Sequence, residues 1–149
     1  MRSAVLDLSI SAHLPTSARD GVGMFSLLDD ATIIGLSRNY VSPEMMGNTD
    51  CGGSAEFYRG YVSAMVCVLN SARSAGNAAS LLRIVEGLDD SIAVPPRPDD
   101  LVSGAKFALM NAHSYGRYAR DNPGTPLGDV FTTLNEDLAS KARCFAARR

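Results

Sequence analysis

Phe57-Tyr58-Arg59-Gly60-Tyr61-Val62-Ser63-Ala64-Met65-Val66-Cys67-Val68-Leu69 is the stretch whose reading decides the fold. Phe57, Tyr61, Ala64, Met65 and Val68 recur at helical spacing, and Tyr58, Val62, Val66 and Leu69 widen the apolar arc beyond one stripe. A helix apolar over so much of its surface belongs at the centre of a fold rather than on its skin. Ser54 stands where an N-cap is expected, its hydroxyl able to accept from a first-turn backbone N–H. After Leu69 the Ser, Gly, Arg and Asn residues of 70–77 loosen the pattern and predict an end or a kink.

Working outward, Leu81, Leu82, Val85 and Leu88 predict a second, shorter amphipathic helix, stopped by Gly87 and Asp89-Asp90. Val94-Pro95-Pro96-Arg97-Pro98 cannot be helix interior, because proline lacks an N–H and clashes with the preceding turn. Asp99 or Asp100 then caps a third helix with Leu101, Ala105, Ala108, Ala112 and Tyr115 on one side; its small central residues invite close approach of another helix. Asn122-Pro123-Gly124 ends it. Thr125 as N-cap and Pro126 as first helical residue start the last helix. Its core stripe is Leu127, Val130, Phe131, Leu134, Leu138 and Ala142, with Asp129, Glu136, Asp137 and Lys141 outside.

The other end of the chain is less informative. Residues 1–22 alternate weakly and break at Pro15, Gly21 and Gly23, which suggests a loose arm. Over residues 24–41, Met24, Leu27, Leu28 and Ala31 fit a helix face, while Thr32-Ile33-Ile34 is β-branched and suits a strand equally. Ser42 to Gly53 reads as loop. The expectation is one all-α domain over 1–149, a compact bundle of about four to five helices with a loose N-terminal arm. Its helical core is 54–144, and 1–50 is poorly assigned.

With 149 residues and 46% hydrophobic residues, the chain can bury a single core without metal. A net charge of −2 argues against general affinity for nucleic acid. No apolar run approaches the ~18–20 residues that span a bilayer. The first residues carry one Arg and a short apolar stretch interrupted by Asp7, a poor secretory signal. Either the chain acts in the cytoplasm or its export signal lies elsewhere. Three cysteines permit at most one intrachain disulfide. Cys67, between Val66 and Val68, reads as a buried thiol. Cys51 and Cys144 lie where backbone can adjust, and if paired they would close a loop worth up to ~4–5 kcal/mol.

The search for chemistry is short. Neither Cys nor carboxylate stands three or four residues after His113, and His13 is in the loose arm, so no metal or cofactor site is expected. A Cys67/His113 thiol pair would need an exposed, activated thiolate that the surroundings of Cys67 do not offer. Asp29-Asp30 and Asp89-Asp90 are adjacent pairs, which point ~100° apart on a helix. The Arg143, Arg148 and Arg149 tail could touch phosphate, but Asp129, Glu136 and Asp137 on the last helix would repel DNA. What remains is the acidic, proline-stiffened connection carrying Glu86, Asp89, Asp90, Ser91, Arg97, Asp99 and Asp100. It is either an ordinary solvated loop or a recognition loop, in which proline limits the entropy lost on docking and acidic groups steer a basic partner.

The order of these signals resembles the periplasmic immunity proteins that neutralise type VI secretion amidase effectors. The resemblance rests on Gly60-Tyr61-Val62-Ser63-Ala64-Met65-Val66, the proline turn Val94-Pro95-Pro96 and Asp100-Leu101-Val102. It continues in the Asn122-Pro123 break and a last helix running from Pro126 to Cys144. It covers about two-thirds of the chain. Where the family places cysteines before the Gly-Tyr pair and near the proline turn, this chain has Tyr58 and Ala93. Only Cys51 and Cys144 can then preserve a family-like disulfide. The resemblance implies a non-catalytic, often homodimeric inhibitor of a peptidoglycan amidase, acting in the periplasm. The Glu86–Asp100 connection would plug the cleft, and the small-residue face of the 101–115 helix would help form the dimer. Two other classes remain open: a small enzyme using Cys67 and His113, and a cytoplasmic helical protein-binding module.

Overall fold

The computed structural model describes residues 26–40, 51–92 and 100–149. Within them the chain forms five α-helices and no strand: α1 (Asp30–Ser37), α2 (Ala55–Ser71), α3 (Ala78–Ser91), α4 (Asp100–Asp121) and α5 (Leu127–Arg148). The all-α expectation holds. The segment left open between helix and strand is helical at Thr32-Ile33-Ile34, with Ile33 fully buried. There Asp29 caps α1 by accepting from the Thr32 N–H at 2.8 Å, a local start signal that outweighs β-branching.

α2 is central, as its all-round apolarity predicts: eleven of its 17 residues are buried. Ser54 caps it, accepting from the Phe57 N–H at 3.1 Å. The other helices flank it in the spatial order α3–α4–α2–α5–α1. On one flank α4 meets α2 backbone to backbone. A Cβ on Gly60 would lie 2.0 Å from the Leu101 carbonyl oxygen, and one on Gly104 would lie 1.9 Å from that of Phe57. Neither position has room for any other residue. α3 packs on the far side of α4, where Leu82 covers Gly116. Ala105, Ala108 and Ala112 are fully buried in this layer.

On the other flank α5 packs along α2, and α1 packs against α5. A disulfide joins Cys51, just before α2, to Cys144 in α5, with the Cα atoms 5.1 Å apart. Arg59 of α2 donates to the Leu28 carbonyl at 2.9 Å and to Asp30 at 2.5 Å. Arg149 meets the other Asp30 oxygen at 2.5 Å.

Three expectations are corrected. α3 does not stop at Gly87 or at Asp89-Asp90; it runs on to Ser91. No Cβ contact is missing at Gly87, which faces open space, and one exposed glycine costs a helix only about 1 kcal/mol. α5 begins at Leu127, with Pro126 rather than Thr125 in the cap position. Pro126 has an extended ψ of 136° and offers no side-chain acceptor, so this helix starts without a side-chain cap. Tyr115 is 42% exposed and lies outside the core, because it sits beyond the edge of the small-residue face.

Candidate functional site

α3 and α4 leave between them a groove of about 350 Å³. Val85 and Leu109 contribute its apolar part; Glu86, Asp89 and Asp90 come from α3, and Lys106, Met110, His113, Ser114 and Arg117 from α4. The acids cluster because α3 continues as helix: Asp89 and Asp90 follow Glu86 by three and four residues, which places each beside it. The residues expected to form a loop from Glu86 to Ser91 are therefore on a rigid element.

Polar groups from α4 answer these acids. Lys106 donates to Asp89 Oδ1 and to the Asp89 carbonyl, both at 3.0 Å, so it also satisfies the negative end of α3. His113 Nε2 lies 3.0 Å from Glu86 Oε2. Asp90 and Arg117 line the groove on opposite walls. The wall is thus bipolar rather than purely acidic.

The structure brings together only part of the set singled out from sequence. Glu86, Asp89 and Asp90 share the groove. Ser91 instead turns back onto its own helix, its hydroxyl donating to the Leu88 carbonyl at 2.8 Å. Asp100 belongs to the start of α4, where it accepts from the Ser54 hydroxyl at 2.6 Å and borders a separate hollow with Glu56. Arg97 and Asp99, with the proline turn, lie outside the described residues.

Cys67 and His113 are each committed elsewhere. Burial pushes the Cys67 thiol up to about 11, and a hydrogen bond from the Ser26 backbone offsets this only in part. That is the opposite of an activated thiolate, while His113 is turned to Glu86. A polar cluster joins three helices on another side of the fold. Tyr61 donates its phenolic proton to Asp137 and accepts from Asn111 at 2.5 Å, and Lys141 pairs with Asp137 at 2.9 Å. Burial foremost, with the Asp137 charge second, raises the Tyr61 phenol above its ordinary range, so it acts as a neutral donor tying α2 to α5. Among the described residues no group of His, Cys, Asp and Glu is arranged to hold a metal ion.

Reasoning from sequence missed the outer face of α4. Of the five large hydrophobic side chains exposed among the described residues, four, Phe107, Met110, Tyr115 and Tyr118, lie on this helix, and the fifth is Leu27. The signal was present: a helix whose small residues already account for one buried face carries further apolar residues on its opposite side. In the described residues no helix is long and apolar enough to cross a membrane. Comparison with protein-family models, with curated proteins and with solved structures gives no match to this chain.

Proposed function

We propose that this chain is an immunity protein that binds a peptidoglycan-cleaving amidase effector and blocks it sterically, without catalysis of its own. The observation that carries this reading is the rigid acidic edge of α3, Glu86, Asp89 and Asp90, beside a groove with apolar and polar lining. Such a surface can steer a basic rim toward itself and then dock against it. The recognition element in this proposal is the C-terminal end of α3 with the groove, a correction to the loop expected from sequence. The Cys51–Cys144 disulfide is compatible with an oxidising compartment and supports a periplasmic site of action. The resemblance adds a homodimer to the proposal.

The test is inhibition of a small secreted Cys/His peptidoglycan amidase, sought first in the gene adjacent to the one for this chain. Peptidoglycan cleavage should fall to zero at a stoichiometric amount of the full chain. The double variant Asp89→Arg/Asp90→Arg should weaken binding mainly through a slower association rate, at least about tenfold at low salt. Unchanged association in that variant would remove α3 from the interface.

A further inference from the structure

We infer that Cys51 is the sulfur through which this chain exchanges thiols and disulfides with other molecules, and that Arg143 holds its thiolate. This modification site lies apart from the α3–α4 groove and stands whether or not the chain inhibits an amidase.

The fold treats the three cysteines differently. Cys67 is 2% exposed and burial pushes its thiol up, so at neutral pH it neither ionises nor meets an external sulfur. Cys144 is fully buried within α5, as is Phe145 beside it. Cys51 is half-buried in the coil before α2, with the exposed Gly52 next to it. Exchange requires access of one sulfur to another, and Cys51 alone offers it.

Charge selects the same residue. Arg143 Nη1 lies 3.4 Å from Cys51 Sγ. Its guanidinium also sits over the Tyr40 ring, 5.1 Å from the centroid, which limits where the side chain can go. Arg59 and Arg149, the other guanidiniums at this end of α5, lie over Phe145 and pair with Asp30. A guanidinium beside a sulfur favours the thiolate, which is the nucleophile. Arg143 directly precedes Cys144 in the chain. Whenever α5 brings Cys144 to Cys51, the charge therefore arrives with it.

In the reduced chain the Cys51 thiolate attacks one sulfur of an external disulfide, RSSR. A bond forms between Cys51 and SR, the RS–SR bond breaks, and the departing thiolate takes up the proton that Cys51 released. The Cys144 sulfur, losing its own proton, then attacks Cys51 Sγ and expels the second RS group as RSH. Two thiols are oxidised by two electrons, and RSSR is reduced to two RSH. Reduction by a thiol retraces the same mixed disulfide, but its leaving group is the buried Cys144 thiolate. That makes the finished bond slow to open.

The experiment treats the reduced full chain with oxidised glutathione, quenches with acid at intervals and maps adducts by peptide mass. In the parent the first glutathione should appear on Cys51, at least about tenfold ahead of Cys144. Cys144→Ser should accumulate the adduct at Cys51, whereas Cys51→Ser should leave Cys144 nearly unmodified. Arg143→Met should move the pH profile of Cys51 modification upward. It should slow the reaction about threefold at neutral pH, because the lost thiolate is offset in part by the greater nucleophilicity of a more basic sulfur. Arg143→Lys should restore most of the rate, and concentrated urea should abolish both the preference for Cys51 and the effect of Arg143. The parent measurement needs no substitution, so it decides the matter even where a variant fails to fold. Equal rates at Cys51 and Cys144 under native conditions overturn the proposal, as does a first adduct on Cys144. A rate and pH profile indifferent to Arg143→Met remove Arg143 from it.

Discussion

The two flanks of α2 are held by different means. Toward α4 the contact is made by absence: Gly60 and Gly104 remove side chains so that backbones touch, and beyond α4 the buried Leu81, Leu82, Val85 and Leu88 of α3, with the partly exposed Lys106–Asp89 pair, hold α3 in place. Toward α5 the contact is made by addition: a disulfide, a shared Asp30 between Arg59 and Arg149, and the Tyr61–Asp137–Lys141 cluster. Close packing tolerates no substitution at its crossing point, whereas a cross-linked flank loses strength in steps. The open groove and exposed aromatic face lie on the flank without a covalent tie, where surfaces are least encumbered.

The sharpest way to break the comparison is Gly104→Leu. Its Cβ alone would meet a backbone carbonyl at 1.9 Å, so α2 and α4 must part, at a cost upward of about 4 kcal/mol. Loss of a cooperative melt at ordinary temperature is the expected result, and a melt close to that of the parent would refute the glycine crossing. On the other flank, Cys51→Ser/Cys144→Ser should cost about 4 kcal/mol, less if the reduced chain keeps residual structure. Urea unfolding should show the midpoint falling while the variant still folds.

Next comes Cys67. Its pKa rises from an ordinary 9.0 to about 11 on folding, so the folded state binds the proton more tightly. The associated stability is complete below pH ~9 and is lost as pH rises through ~11, on the order of 2 kcal/mol in all. Comparing melts of the parent and Cys67→Ala at pH 8 and pH 11 measures it: the parent should lose more. The native thiol should also resist iodoacetamide at pH 8. Arg59→Met leaves the Leu28 carbonyl short of a donor and Asp30 with Arg149 alone, a loss of about 2 kcal/mol by chemical denaturation. Lys106→Gln should cost less than about 1 kcal/mol, because its pair with Asp89 is partly exposed. That small effect on stability makes it a clean probe of partner binding.

Much of the fold was legible because its signals are local. The all-round apolarity of residues 57–69 announces a central helix, and Ser54 and the Asn122-Pro123-Gly124 break mark where helices start and stop. The end of α3 was not legible, since Gly87 and paired aspartates look like a stop until tertiary contacts such as Lys106 on the Asp89 carbonyl hold the last turn. The crossing of Gly60 with Gly104 involves residues 44 apart, and spacing along a chain carries no record of that meeting. The candidate site was half legible. Its acids stood out by type, but their partners, Lys106 and His113, come from a helix whose facing direction only packing decides.

The bond between Cys51 and Cys144 has a topological consequence. It closes α2 through most of α5 into a covalent ring, and everything before Cys51 becomes a branch attached to that ring at one point. A single peptide cleavage anywhere from Gly52 to Arg143 therefore opens the ring without dividing the molecule. A protease meeting this protein under oxidising conditions must cut the ring twice to release a fragment of it, and one cut leaves the mass higher by a single water.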